Sequence, residues 1–361
     1  LTLLFNDKMI DPEKIGKRYQ RDRANARPMP PGIAGETMMR SLIAATAAVF
    51  LSAHAAAAQN FPNRSISLVV AAAAGGTTDV LARIVAKRMG EDLGQSVVVE
   101  NVPGGGATVG TRRVVRSEPD GYTLIFGNMG SLAANVWLFP QLGFDPRKDL
   151  APVGLVAVVP MVLSVSKQSS IRDLAGLIAT MKAKPGALNF GHAGPGTTGH
   201  LAAITFLHVT STQAHDIPYR GAGPALNDLV AGQIDAVIDQ TVTMIPMHTG
   251  GSVTAIATSS PNRLAQIPDV PTFAEAGVPA FDLTVWNAIA APAATPRPAL
   301  ERLESSLKTA LADPELRRRF AELAADMPEP DQIGAEPLRR LIASDIERFG
   351  PIIRAVGVKV E

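Results

Sequence analysis

Apolar and polar positions fall into two rhythms along most of this chain. Short, nearly unbroken apolar runs, of which Ser65 to Ala73 is the clearest, have the composition of buried strands. Between them lie longer stretches with apolar residues three and four positions apart. From Thr78 to Leu93, residues Val80, Leu81, Ile84, Val85 and Met89 share one helical face, and Gly94 follows as a stop. The same reading predicts strands over Ser96 to Glu100, Tyr122 to Gly127, Leu155 to Ser166, Leu188 to Gly191, Asp216 to Tyr219, Ala236 to Asp239, Val253 to Thr258 and Trp286 to Ala291. Helices are predicted over Thr108 to Arg116, Ile171 to Lys184, Gly199 to Val209, Ala225 to Gly232, Pro298 to Ala312, Pro314 to Ala325 and Pro337 to Val356. Strand and helix in alternation predict an α/β protein whose mostly parallel sheets are flanked by helices.

The first part of the chain follows neither rhythm. Met38-Met39-Arg40 gives a short positive start, Ser41 to Leu51 is apolar, and Ser52 to Ala58 ends in small residues. That order is the pattern of a secretory signal peptide over 38–58, with cleavage expected after Ala58. Its strongly apolar part is shorter than the ~20 residues that span a bilayer. Residues 1–37 are polar, carry Pro28, Pro30 and Pro31, and fit neither strand nor helix, so we expect translation to begin at Met38 or Met39. The pattern implies export from the cytoplasm.

Composition narrows the function classes. The 361 residues suffice for two domains of ordinary size. Lys and Arg total 34 against 33 Asp and Glu, a balance with no footprint for nucleic acid. There is no cysteine, which excludes disulfides, thiol catalysis and cysteine metal sites. The six histidines form no H-x-x-x-H pair, so no metal site is expected.

Three loops carry the candidate chemistry, each between a predicted strand and a predicted helix. They are Ala74-Gly75-Gly76-Thr77-Thr78-Asp79, His192 to His200, and Tyr219-Arg220-Gly221-Ala222-Gly223-Pro224-Ala225. A helix start offers unpaired N–H groups and the positive end of its dipole to an anion. Glycine lets the backbone approach closely, and threonine adds neutral donors. Capping alone also explains threonine and aspartate at such positions, and Asp79 reads as a cap. The candidate ligand-binding set is Gly75, Gly76, Thr77 and Thr78 from the first loop, and His192, Gly196, Thr197, Thr198 and His200 from the second. Tyr219, Arg220, Gly221 and Gly223 come from the third, with Asn128, Ser131 and Asp239 beside strand ends. Gly76, Thr77, Gly196, Thr197 and Gly223 are expected to present backbone amides to the ligand.

Enzyme readings have less to stand on. Gly194, Gly196 and Gly199 match G-x-G-x-x-G between a strand and a helix, with Asp216 downstream, the pattern of a dinucleotide-dependent oxidoreductase. That fingerprint normally opens its domain, and here it lies deep in the chain. Ser164 and Lys167 have S-x-x-K spacing but fall in a strand-like run without S-D-N or K-T-G partners. No G-x-S-x-G or Walker-type loop occurs. A ligand sensor that presents its loaded form to a signalling partner stands as a further alternative.

Several phrases also carry a family resemblance. They include Gly75-Gly76-Thr77-Thr78-Asp79, Val98 to Gly104, Pro119-Asp120-Gly121-Tyr122-Thr123-Leu124 and Pro218 to Leu226. Gly232-Gln233-Ile234-Asp235, Ile267 to Thr272 and Glu275-Ala276-Gly277 complete the set. In this order, from about Phe61 to Val360, the sequence resembles the Bug-type periplasmic solute-binding proteins of tripartite tricarboxylate transporters. The resemblance implies a two-lobed Venus-flytrap fold, here divided into 59–160 with 283–361 and 161–282, the chain crossing near Val159 to Ser164 and Phe281 to Trp286. It implies a monomer without cofactor, a small carboxylate ligand held by backbone amides and water, and membrane permease subunits as partners. Departures lie in the run Val70 to Ala74, which lacks the family's usual prolines, in His192 and Pro195, and in Arg220 where lysine is common. An alanine wall with two histidines suits a flat acid such as terephthalate at least as well as citrate.

Overall fold

The computed structural model describes residues 61–356, and the expected signal peptide and the segment before it lie outside these described residues. Among the described residues nine strands form one sheet, eight of them in the order β2-β1-β3-β9-β4-β7-β5-β6 and β8 off that path, paired to β4. The strands are β1 (Ile66–Val70), β2 (Val97–Asn101), β3 (Thr123–Asn128), β4 (Leu150–Ser166), β5 (Asn189–His192), β6 (His215–Pro218), β7 (Ala236–Gln240), β8 (Val253–Thr258) and β9 (Thr284–Pro292). The short strands pair in parallel: β1 with β2 and β3, and β5 with β6 and β7. The long strands β4 and β9 add antiparallel ladders, so the sheet is mixed.

β4 holds the two parallel groups together. Its first part, Leu150 to Pro160, pairs with β9, and from Met161 onward it pairs with β7 and β8. All but Val158 of its residues are buried, which accounts for its apolar sequence. It accommodates Pro152, which has no N–H to donate, at a ladder irregularity. At the crossover the Ser259 hydroxyl accepts the Met161 amide (2.8 Å) and donates to the Leu283 carbonyl (2.7 Å), joining β4 to the start of β9.

The longer helices cover the sheet: α1 (Thr77–Leu93), α2 (Thr108–Val115), α3 (Leu174–Ala183), α4 (Thr198–Thr210), α5 (Ala222–Ala231), α6 (Thr241–Thr249), α7 (Arg297–Ala312), α8 (Pro314–Glu322) and α9 (Ala335–Val356). Their ends follow local rules. α1 and α5 stop at Gly94 and Gly232, both left-handed. Asp173 caps α3 through the Gly176 amide, and Asp313 caps α8 through Leu316 with Pro314 in the first turn. α9 is tied to the sheet by the Trp286 indole, which donates to Asp345 at 2.6 Å. Phe190, Phe206, Phe273 and Phe281 pack together, with Phe273 and Phe281 centroids 4.4 Å apart.

Candidate functional site

In open α/β sheets ligands collect beyond the carboxyl ends of the parallel strands. The ends of β1, β3, β5, β6 and β7 meet here around a cavity of about 580 Å³. Three helix starts form much of its wall: Gly76, Thr77 and Thr78 of α1, Thr197, Thr198 and Gly199 of α4, and Gly221 and Ala222 of α5. The first amides of an α-helix have no intrahelical acceptor. No side chain caps α1 or α5, and at α4 the Thr197 hydroxyl takes only the His200 amide. The Thr77 hydroxyl is buried on this wall without a hydrogen-bond partner. The arrangement concentrates unmet donors at one place and suits a small anion.

The structure sorts the sequence-derived candidates. Gly76, Thr77, Thr78, Thr197, Thr198 and Gly221 lie on the wall. So do Asn128, Ser131, Gly196, Tyr219, Arg220 and Asp239. Gly75, His192, His200 and Gly223 do not line it. Several wall residues have their polar atoms engaged elsewhere. Asn128 bridges the Thr78 hydroxyl (3.2 Å) and the amides of Gly130 and Ser131, and the Ser131 hydroxyl closes the same turn on the Asn128 backbone. Tyr219 turns its hydroxyl to Asp228 at 2.6 Å, and burial together with that carboxylate pushes its pKa up to about 12. Asp79 serves the first loop from outside the cavity by accepting the Gly75 amide at 2.9 Å. Burial works against its charge, yet Arg83, the Gly75 amide and Asn101 together hold its carboxyl below the usual range.

His192 and His200 take a different part from the ligand contact expected of them. Both are buried behind the second loop, ring centroids 4.6 Å apart. The Nδ1 of His192 accepts the Gly194 amide (3.1 Å), and the Nδ1 of His200 accepts the Gly196 amide (3.2 Å). The expectation that Gly196 offers its amide to a ligand therefore gives way: that amide points at a ring. Burial, and then the neighbouring His192, push the His200 pKa down to about 4. Asp216 lies 2.9 Å from the His192 Nε2, and the three side chains bring potential metal-ligating atoms within 4.8 Å of one another. With each Nδ1 accepting an amide proton, the proton that a ring keeps lies on its Nε2. A metal at Nε2 would have to displace it, so this geometry suits a buttress for the loop better than a cation site.

Sequence reasoning missed part of the wall. Gly104, Gly105 and Gly106 line it, as do Phe139 and Gln240. A Cβ on Gly106 would lie 2.6 Å from the Pro195 carbonyl oxygen, and one on Gly196 would lie 2.4 Å from the Phe139 ring. The two glycine loops thus face each other at backbone distance. The Gly104-Gly105-Gly106 run was visible in the sequence, but its partner across the cavity was not.

The fold is that of the α/β periplasmic-binding proteins. The chain matches the tripartite tricarboxylate transporter family receptor (TctC) over residues 81–358, and it belongs to that family. It is 34% identical over 307 residues to BugT of Bordetella pertussis, covering 84% of this chain and 93% of that protein. A UPF0065 protein of Agrobacterium vitis is 36% identical over 303 residues, covering 84% of this chain and 87% of the relative. Among solved structures, the periplasmic binding protein BugD superposes with a TM-score of 0.80 at 32% identity, covering 83% of this chain and all (100%) of BugD. MatC of Rhodopseudomonas palustris, solved with bound malate, gives 0.79 at 35%, covering 81% of this chain and 100% of MatC. An R. palustris protein solved with adipate gives 0.78 at 32%, covering 83% and 99%. The family is one of solute-binding proteins. Among the described residues no helix is long and apolar enough to cross a membrane.

Proposed function

We propose that this protein captures a small carboxylate in the periplasm and delivers it to the membrane permease subunits of a tripartite transporter, without chemical turnover. The observation that carries the reading is the convergence of three helix starts on one cavity, with the unpartnered Thr77 hydroxyl among them. Dipole ends and neutral donors bind a carboxylate while leaving it exchangeable, as a shuttle requires. Relatives solved with malate and adipate support the ligand class. A dinucleotide reading of the Gly194 loop is disfavoured, since the amides of Gly194 and Gly196 are held by histidines and are not free for a pyrophosphate.

In this reading residues 59–160 with 283–361 form one lobe and 161–282 the other. They hinge where β4 changes partners at Pro160 and Met161 and where the chain returns before β9. The segment 38–58 directs export, and the mature chain begins at Gln59. Twelve of the sequence candidates, those on the cavity wall, form the contact surface. The test is a thermal-shift screen of the purified protein against a library of di- and tricarboxylates, with terephthalate included. A ligand that binds only the folded state raises Tm by mass action. Failure of every acid to raise Tm overturns the proposal.

A further inference from the structure

The cavity that draws an anion also contains a carboxylate. Of the side chains on its wall only Asp239, Arg220 and Tyr219 titrate. Arg220 is exposed, and the Tyr219 hydroxyl is engaged by Asp228. Asp239 is different: it stands next to last in β7 with only 8% of its surface exposed. Its Oδ2 accepts from the Thr243 hydroxyl at 3.0 Å, and among the described residues no cation pairs with it. No charged side chain on the elements packed around it compensates, and its partners are the Gln240 amide and the Thr243 hydroxyl at the start of α6. Val162 faces it on β4, Thr243 on α6, and Thr77 and Thr78 lie on the α1 side of the cavity.

Two carboxylates in one desolvated space repel strongly unless a proton or a donor stands between them. The ligand's anionic group therefore belongs at the helix starts, and the part that reaches Asp239 must be something other than a second bare carboxylate. An acceptor at that place is satisfied by a hydroxyl or an ammonium group. On the reading that the protein binds a carboxylate, we propose that Asp239 determines specificity by accepting a hydrogen bond from a hydroxyl or ammonium substituent on the ligand, and so selects substituted acids over bare dicarboxylates. Burial, offset in part by the Gln240 backbone and Thr243, pushes the Asp239 pKa up to about 6. Above that pH the group is an anionic acceptor. Below it the protonated carboxyl donates and tolerates a bare carboxylate, so selectivity fades with acidity.

The experiment is titration calorimetry of the full protein and of Asp239→Asn with two matched pairs, succinate with malate and terephthalate with 2-hydroxyterephthalate. Asn keeps the shape and still accepts from Thr243, but it carries no charge. At pH 8 the wild type is expected to favour the hydroxylated member of at least one pair by about tenfold or more. In Asp239→Asn the gap should shrink to under about threefold, mainly because the bare acid binds more tightly. Lowering the pH from about 8 to about 5.5 should narrow the gap in the wild type and leave it unchanged in the variant. Equal wild-type affinity within both pairs, or a gap that Asp239→Asn leaves intact at an unchanged Tm, overturns the proposal. If the variant fails to fold, the wild-type pH series decides, and a pH-independent gap overturns it. Silence from all four acids also overturns it, while the carboxylate reading falls only if the wider screen is silent too.

Discussion

The Nδ1 of His200 holds the backbone amide of Gly196 at 3.2 Å, so a buried imidazole fixes the turn that forms one wall of the cavity. This bond exists only while the ring nitrogen has a free lone pair. Protonation would set two donors face to face.

That relationship predicts how stability depends on pH. His200 titrates near 4 in the folded protein against 6.5 ordinarily, so the unfolded chain binds its proton more readily. Its contribution is complete above pH 6.5 and is lost as pH falls toward 4, by on the order of 3 kcal/mol at about 1.4 kcal/mol per unit. His200→Asn offers Gly196 an amide oxygen that does not titrate in this range. The variant's curve of Tm against pH should be flatter between pH 6.5 and 4 than that of the wild type. Asp239 titrates in an overlapping window with the opposite sign, but it does so in both proteins and drops out of the difference.

Gly196 has φ +80°, and an added Cβ would meet Phe139. Gly196→Ala should weaken carboxylate binding at least tenfold by shifting the loop. Gly196→Ala with Phe139→Ala removes the clash but leaves the left-handed backbone, a cost of about 1 kcal/mol. Binding should return in part. Calorimetric titration of both variants checks this, and an unaffected single variant would show that the loop yields freely.

Thr77→Val replaces a buried, unpartnered hydroxyl with a methyl group of similar shape. Without ligand the variant should be as stable as the wild type or more so, because no hydrogen bond is lost. With a carboxylate present, binding should weaken by roughly 1–3 kcal/mol if the hydroxyl bonds the anion. Denaturant melts with and without ligand separate the two effects.

Ser259→Ala leaves the Met161 amide and the Leu283 carbonyl without their partner. The expected loss is roughly 1–3 kcal/mol for a buried unsatisfied group. It should appear as a lower denaturant midpoint. An unchanged midpoint would mean that water replaces the hydroxyl.

The succession of strands and helices was legible because most elements bury one continuous apolar face, as Ile66 to Val70 and Leu81 to Leu93 do. α6 was not, since Thr241, Thr243, Pro246 and Thr249 all disfavour a helix and only its packing reveals it. The antiparallel course of β4 and β9 was equally hidden, because apolar runs carry no direction. Glycine and threonine before a helix marked loops that line the cavity. Which amides face inward was not readable: it depends on His192 and His200 turning their Nδ1 atoms toward Gly194 and Gly196. Phe139 gave no signal at all, being one aromatic residue in a connection.

β9 occupies the place between β3 and β4, although some 150 residues separate it from β3 in sequence. Neither earlier strand has its inner neighbour until Thr284 to Pro292 is in place. Pairings this distant along the chain form slowly, because loop closure must precede the contacts that reward it. The middle of the sheet therefore closes late, after the parallel groups on either side of it have their own partners.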